Sequence, residues 1–486
     1  MRIRISLLYL NIFILIHENV SGQKYDNIWM MGCCYTPISR LNGGINLRFD
    51  LGGDPDTFFL SREIDFIETS ISVSDPISGN LLFYSNGCHI YNKNDQIMEL
   101  GKDINPGLTQ KMACEEYAYD LSRGGVILPN TENKNKFYLI HRALDDTGKT
   151  IDRLYYSEVD LSFNQGLGRV IKKNVPLLKQ RLYKSHFDVT KHANGRDYWI
   201  FTYNYSSDTV FRFLVQSNGI EGPLGQYFPI PRERFAQRAN STISPDGKTA
   251  VRIDPVNGLF LMDIDRETGL FSNLRQFPYW SSVDSSPVTS VAFSQNGKML
   301  YVSSLLRLSQ FDLEASNFFE SRILIDTFDL FEDPYYTTFY LMQLAPNGKI
   351  YMNCTNGVRY LHTIHKPNER GKACDFRQHD FILPTQNAFT MPYFPNYRLG
   401  PITSIEQDLK INKSVVYPNP VKDKLFILNN NKENLHYEII DIIGQNVLNG
   451  IVNNFIDVEN LKNGFYFLKL KSTTEYRRIA KFEKIE

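Results

Sequence analysis

His362-Thr363-Ile364-His365 sets two imidazoles three positions apart. On a strand, side chains alternate between faces, so the two rings point apart and share a metal only if the segment turns. His192, Asp197 and Trp199 cluster beside a turn signal, Asn194-Gly195. A His–Asp pair can serve as acid and base. The turn setting favours instead a set of bonds that hold neighbouring strands. Glu115, Glu116 and Asp120 precede an apolar run at Val126. Such carboxylates suit calcium, and a solvated loop is the simpler reading. Asp160, Asp265 and Asp312 close three apolar runs and read as turn residues. The chain has no Gly-x-Ser-x-Gly elbow, phosphate loop or His-Glu-x-x-His, and Gly166-Leu167-Gly168 lacks a third glycine. No catalytic or cofactor-binding residue is therefore assigned, and the metal and cofactor questions stay open. The aromatic segments Asp333-Pro334-Tyr335-Tyr336 and Met391-Pro392-Tyr393-Phe394-Pro395 suit either a sugar or peptide site or packed loops.

Six cysteines carry the remaining chemistry: Cys33, Cys34, Cys88, Cys114, Cys354 and Cys374. No Cys-x-x-Cys occurs, which argues against a zinc ribbon or a thioredoxin-like site. An even count in an exported chain permits disulfides. Cys354 and Cys374 lie in one sequence repeat and are the expected pair, with buried free thiols as the other reading.

The repeat positions all these residues. Ser244-Pro245-Asp246-Gly247-Lys248, Ser294-Gln295-Asn296-Gly297-Lys298 and Ala345-Pro346-Asn347-Gly348-Lys349 place their glycines 50 and 51 residues apart. Each sits between two short apolar runs. Asp-Gly and Asn-Gly supply the positive φ angles of tight hairpin turns. Weaker copies at 79, 135 and 195 extend the series upstream, and a third apolar run follows each pair. Repeats of this length with three or four antiparallel strands predict a β-propeller. Six units are visible. Ile28–Met31, Ile45–Phe49 and Phe389–Tyr397 are left over and combine into a seventh, closing blade in the favoured reading, with six blades as the next.

Composition agrees. The chain has 486 residues, 42% apolar and 22% charged, enough for more than one packed unit. Lys+Arg and Asp+Glu balance at 53 each, which leaves no electrostatic footprint for nucleic acid. Tyr (28) and Phe (33) favour strands. Arg2 and Arg4, the apolar run Ile5–Ile16 and Val20-Ser21-Gly22 read as a cleaved secretory leader, residues 1–22, with Gln23 as the mature start. The run spans about 18 Å as a helix, too short to cross a bilayer. No transmembrane segment is expected in the mature chain.

After Pro401 the pattern changes. Ser404 to Lys413 is a polar linker, and a compact string of strands follows. Four ordered blocks stand out there. They are Val416-Tyr417-Pro418-Asn419-Pro420, Asp441-Ile442-Ile443-Gly444-Gln445-Asn446-Val447, Ile456 through Gly464-Phe465-Tyr466, and Arg478 through Lys481 to Lys484. With them, residues 414–486 resemble the type A C-terminal sorting domain of the type IX secretion system of certain Gram-negative bacteria. The resemblance implies a small β-sandwich, read by an outer-membrane translocon and then removed, and a product released or held at the cell surface after passing the periplasm. Its motif residues here are Pro418, Asn419, Pro420, Asp441, Gly444, Gly464, Tyr466 and Lys481. Residues 27 to about 400 resemble WD-repeat-like and lactonase-like propellers, a likeness that implies architecture more than function.

The expected organisation is thus all-β: leader 1–22, propeller 23–403, linker 404–413 and sorting sandwich 414–486. The leading functional reading is a secreted or surface-exposed binding platform for a protein, peptide or glycan, handled by the secretion machinery through its tail. The alternative is an extracellular propeller hydrolase or lactonase-like enzyme. The side chains lining the central channel discriminate between them.

Overall fold

The computed structural model describes residues 23–32, 44–49, 53–60, 62, 64–116, 118–231, 240–254, 257–278, 289–402, 416–427, 435–441, 445–452, 455–471 and 476–486. The proposed leader, the linker 404–413, Cys33, Cys34 and Gly444 lie outside them. The chain divides into two compact units, one ending at Gly400 and the other spanning Pro401–Glu486.

Among the described residues, the first unit is a propeller of seven antiparallel blades. The six turn signals become six turns, each joining a blade's innermost strand to its second, and in blades four to seven the glycine donates to the carbonyl three residues back. In the fifth blade Gly247 takes φ +74° and donates to the Ser244 carbonyl. Asp246 Oδ1 accepts the Lys248 N–H (3.0 Å), and Ser244 Oγ accepts the Thr249 N–H (2.9 Å). The sixth blade repeats this with Asn296 and Ser294, at 3.0 and 2.9 Å. The seventh replaces the serine with Ala345 and keeps Asn347 on the Lys349 N–H. The short polar side chain satisfies backbone donors that the reversal would otherwise strand.

Second strands such as Met299–Ser304 and Ile350–Cys354 are buried along their whole length. Each blade packs on both faces against its neighbours, so these strands read as continuous apolar runs and not as alternations. Outer strands such as Phe271–Phe277 are largely exposed. The third and fourth blades share one strand, Arg169–Lys191. Its first half pairs with Ile151–Asp160 and its second with Tyr198–Asn204, with the register breaking between Leu182 and Phe187.

The first blade departs from the others. Its strands are Ile28–Met31, Gly44–Arg48 and Asp56–Leu60. Ile28–Met31 runs antiparallel to the second blade's inner strand, Ile71–Ser74: Ser72 Oγ bonds the Ile28 carbonyl (2.8 Å) and Ser70 Oγ the Met30 carbonyl (2.6 Å). The blade therefore lacks the leading strand and turn of the other six. Phe389–Tyr397, expected to join it, forms no strand. It passes down the channel beside this blade instead.

The expected Cys354–Cys374 disulfide does not form. Both are separate buried thiols, and Cys88 bonds Cys114 (Cα–Cα 5.7 Å), tying helix Leu108–Glu116 to the second blade. The reason is register. Ile350 pairs with Ile364, so Cys354 lies at the far end of that hairpin from Cys374, whose carbonyl accepts the Lys366 N–H. Four residues of strand separate them, about 14 Å, whereas a disulfide needs Cα atoms within about 7 Å.

The second unit has two antiparallel sheets. Val416–Tyr417, Lys424–Ile427 and Ile456–Asp457 form one; Asn446–Val452, Leu435–Ile440, Gly464–Lys471 and Tyr476–Lys484 form the other. Val416, Leu425 and Ile456 of the first meet Ile439, Leu468 and Phe482 of the second in one core. No helix among the described residues is long and apolar enough to cross a membrane.

Candidate functional site

Hydrogen bonds close the propeller around its channel. Thr69 Oγ1 donates to the Leu121 carbonyl (2.7 Å), linking blades two and three. Arg123 pairs with Asp188 (3.3 Å) and Asp188 accepts from Ser241 Oγ (2.5 Å), linking three, four and five. Asn240 donates to Ser290 Oγ (2.9 Å), which accepts the Met342 N–H (2.9 Å), linking five, six and seven. Asn387 accepts the Gly32 N–H (3.1 Å) and returns to blade one. Asp188 is fully buried, and burial pushes its carboxyl up against the opposing pull of Arg123. An acid–base motif would have flagged none of these residues, because each bond joins different repeats.

The channel itself is occupied by the chain. Thr390 Oγ1 donates to the Ile67 carbonyl (2.9 Å) at one end. Further down, Tyr393 Oη accepts the Val189 N–H (2.9 Å) and Tyr397 donates to the Ile127 carbonyl (2.6 Å). Phe394 stacks on Trp29, with centroids 6.2 Å apart. Asn396 donates to the Pro245 carbonyl (2.7 Å), and Arg398 clasps Asp26 through two 2.7 Å bonds at the turn end. Met391, Tyr393, Phe394 and Tyr397 are buried in the central core. Of the two aromatic segments singled out in the sequence, this one is packing, while Tyr335 and Tyr336 are exposed.

Open space lies at the turn end. A cavity of about 240 Å³ is walled by Ile243, Phe293, Leu344, Pro346, Phe394 and the Arg398–Asp26 pair. A wider groove of about 530 Å³ runs between turn 130–135 of the third blade and Gly195–Arg196 of the fourth, with Gln23 and Tyr25 on a third side and Lys191 and Tyr198 within.

The other candidates resolve individually. Cys354 Sγ lies 3.3 Å from His362 Nε2, a spacing that suggests a nucleophile and its base. Both are buried, however. Burial pushes the thiol far up and holds the imidazole down at about 3. The pair is thus neutral, the reverse of an activated thiolate–imidazolium. His362 Nδ1 accepts the His379 N–H, while His365 faces Asp380 (2.7 Å), so the two imidazoles part as the alternation requires. His192 Nε2 meets the Glu267 carbonyl, Asp197 accepts from Asn194, and Trp199 Nε1 donates to the Arg266 carbonyl: all three hold the turn and its neighbour. Asp160, Asp265 and Asp312 each accept the N–H two residues on, at 2.9 Å. Glu115 is exposed on its helix. Among the described residues no three His, Cys, Asp or Glu side chains converge as metal ligands.

In the second unit the motif residues interlock. Asn419, between Pro418 and Pro420, donates to the Lys481 carbonyl (3.2 Å) and accepts the Glu483 N–H (2.9 Å), which fastens the opening block to the last strand. Tyr466 stacks on Phe482 (5.7 Å) and donates to the Lys462 carbonyl. Lys481 lies over the Phe465 ring (4.1 Å). Asp441 Oδ1 accepts the Gln445 N–H (2.9 Å). Gly464 pairs with Lys484. Residues 415–482 match the family model described as a secretion system C-terminal sorting domain.

The chain carries a sorting tail. Such a tail marks this protein for type IX export to the cell surface. No curated protein matches the chain. Among solved structures it is similar to a putative 6-phosphogluconolactonase from Bacteroides fragilis, at 12% identity over 75% of this chain and 97% of that one, TM-score 0.45. It is also similar to PorZ, an essential bacterial surface component of the type IX secretion system of Porphyromonas gingivalis. That match has 12% identity over 91% of this chain and 63% of PorZ, with a TM-score of 0.37. A functionally unknown protein from Desulfotomaculum acetoxidans matches at 14% over 74% and 97%, TM-score 0.38. Likeness at this level transfers no activity.

Proposed function

We propose that this sorting-tail protein is a surface binding platform whose propeller takes its ligand on the turn end. Residues 1–22 act as the leader into the periplasm, and the translocon then reads 414–486. The observation that carries the binding reading is the threaded channel. Residues 390–397 fill it and bond to the inner strands of blades three and four and to the second strand of blade seven. A ligand therefore meets the turns and the two recesses between them, where aromatic faces, amides and a few charges converge, the usual make-up of a recognition site.

The test is retention of the full chain on arrays of glycans and peptides, with the captured probe assayed for breakdown. Saturable retention without turnover is expected, and Arg196→Ala together with Asn396→Ala should weaken it by about tenfold. Consumption of the probe, or undiminished retention by these variants, overturns the reading.

A further inference from the structure

Three buried arginines of the propeller meet acceptors. Arg123 meets Asp188, Arg142 donates to the carbonyls of Tyr183 and Lys184, and Arg62 donates to Asn46. Lys191, like Arg142 and Arg62, has a neutral acceptor, but it also lines open space. It ends the long shared strand and is only 4% exposed. Its Nζ donates to a neutral acceptor, Gln23 Oε1 (3.1 Å), and lies 5.6 Å from the Tyr198 centroid. No carboxylate acts on it among the described residues; the charge beside it is the like charge of Arg266, whose Nε donates to the Lys191 carbonyl. An ammonium removed from water without an anion costs several kcal/mol. The groove onto which Lys191 opens supplies the room for one.

The rest of the groove has the same sign. Lys134 and Arg196 are exposed on its rim, against one carboxylate, Glu132. Its walls are rich in amides, from Asn130, Asn133, Asn135 and Gln23, and its aromatic side chains are Tyr25 and Tyr198. Amides match hydroxyls as both donors and acceptors, and a phenol ring offers an apolar face with a polar tip. A groove of about 530 Å³ is far larger than a lone inorganic anion.

We propose that this groove binds an acidic glycan, a sugar of the uronic acid type, with its carboxylate on Lys191, Lys134 and Arg196 and its hydroxyls on the surrounding amides. The proposal deepens the binding reading by naming the class of ligand. The groove lies between the turns of adjacent blades, so the site depends on the shared strand that fixes those two blades relative to one another.

The experiment is calorimetric titration of the full chain with trigalacturonate, neutral galactotriose, inorganic phosphate and a hexaglutamate peptide. Trigalacturonate should bind saturably, at least about tenfold more tightly than any of the others. The rim variant Lys134→Ala/Arg196→Ala, altered only at exposed positions, and Lys191→Met should each lose about tenfold or more. No binding of trigalacturonate at about 10 mM, equal binding of the neutral trisaccharide, or preference for the peptide overturns the proposal. So does an undiminished rim variant. Retention of neutral probes elsewhere on the turn end would leave the platform reading standing while this one falls. Cleavage of bound trigalacturonate would do the opposite.

Discussion

Lys191 behaves differently from a surface lysine because its environment resists its charge. Burial, followed by the nearby Arg266, lowers its pKa to about 8. Also around it are Arg196, Lys134 and Glu132, together with the phenols of Tyr25 and Tyr198, which burial pushes up and out of this range. In the unfolded chain the ammonium keeps its proton to about 10.4. Between these values the unfolded state binds more protons, so stability rises with pH through the window. Ligand affinity runs the other way, since an anion needs the charged form. Raising the pH from 7 to 9 should weaken trigalacturonate binding by about tenfold in the native protein. The same change should leave Lys191→Met nearly flat, and a flat native profile would show that Lys191 does not meet the ligand. Nothing in Val189-Thr190-Lys191-His192 distinguishes this lysine in the sequence, where it reads as a polar strand end. Its role comes from Tyr198, its partner across the hairpin, and from Gln23 and Arg266, which are distant in sequence and meet it only in the folded ring. The cysteines illustrate the same limit. Sharing a repeat made Cys354 and Cys374 look close, while the register that parts them is a property of the hairpin between them.

At the scale of the element, the turns were the legible part. Asp-Gly and Asn-Gly between apolar runs located four of the seven blades, and the weaker signals at 79 and 135 two more, because the positive φ of those glycines and the side-chain bonds of the nearby Asp or Asn are local requirements. What surrounds each turn is not local, and two equivalent glycines separate the effects. Gly297 has φ +72°, and a Cβ there would come no closer than 3.8 Å to Pro245 Cδ. Gly247 has nearly the same φ, +74°, but a Cβ would lie 2.7 Å from Thr190 Oγ1 and 2.8 Å from Leu399 Cδ2. Gly297→Ala should therefore cost the backbone penalty alone, about 1–2 kcal/mol. Gly247→Ala should cost a further ~1–3 kcal/mol from overpacking. Urea denaturation at unchanged m-value measures both, and equal losses would mean that neither Thr190 nor Leu399 packs against the fifth blade's turn. The first blade escaped the same logic because its inner strand runs in reverse and needs no such turn. Phe389–Tyr397 escaped it because an aromatic, proline-rich segment looks alike whether it pairs in a sheet or fills a channel.

At the scale of the whole molecule, the division of labour follows from where each core is completed. The propeller closes with its own residues, from Gly32 to Asn387, and its channel is filled before Gly400. The second unit encloses Val416, Leu425, Ile439, Leu468 and Phe482 between its own two sheets, and Asn419 pins the opening motif to the final strand. Among the described residues, no sheet of one unit includes a strand of the other. An address that is read on a folded passenger has to be dispensable to that passenger's stability. Deleting 414–486 should therefore leave a propeller that unfolds cooperatively with about the same midpoint, trapped in the periplasm. Attaching 414–486 to an unrelated protein behind a secretory leader should carry that protein to the surface of a competent host. Protease accessibility on intact cells, compared with and without the tail, reads both outcomes. A truncated chain that still reaches the surface would place the address in the propeller. A truncated chain that no longer folds would show that the ring and its tail are a single cooperative unit, and that the closure from Gly32 to Asn387 is not sufficient.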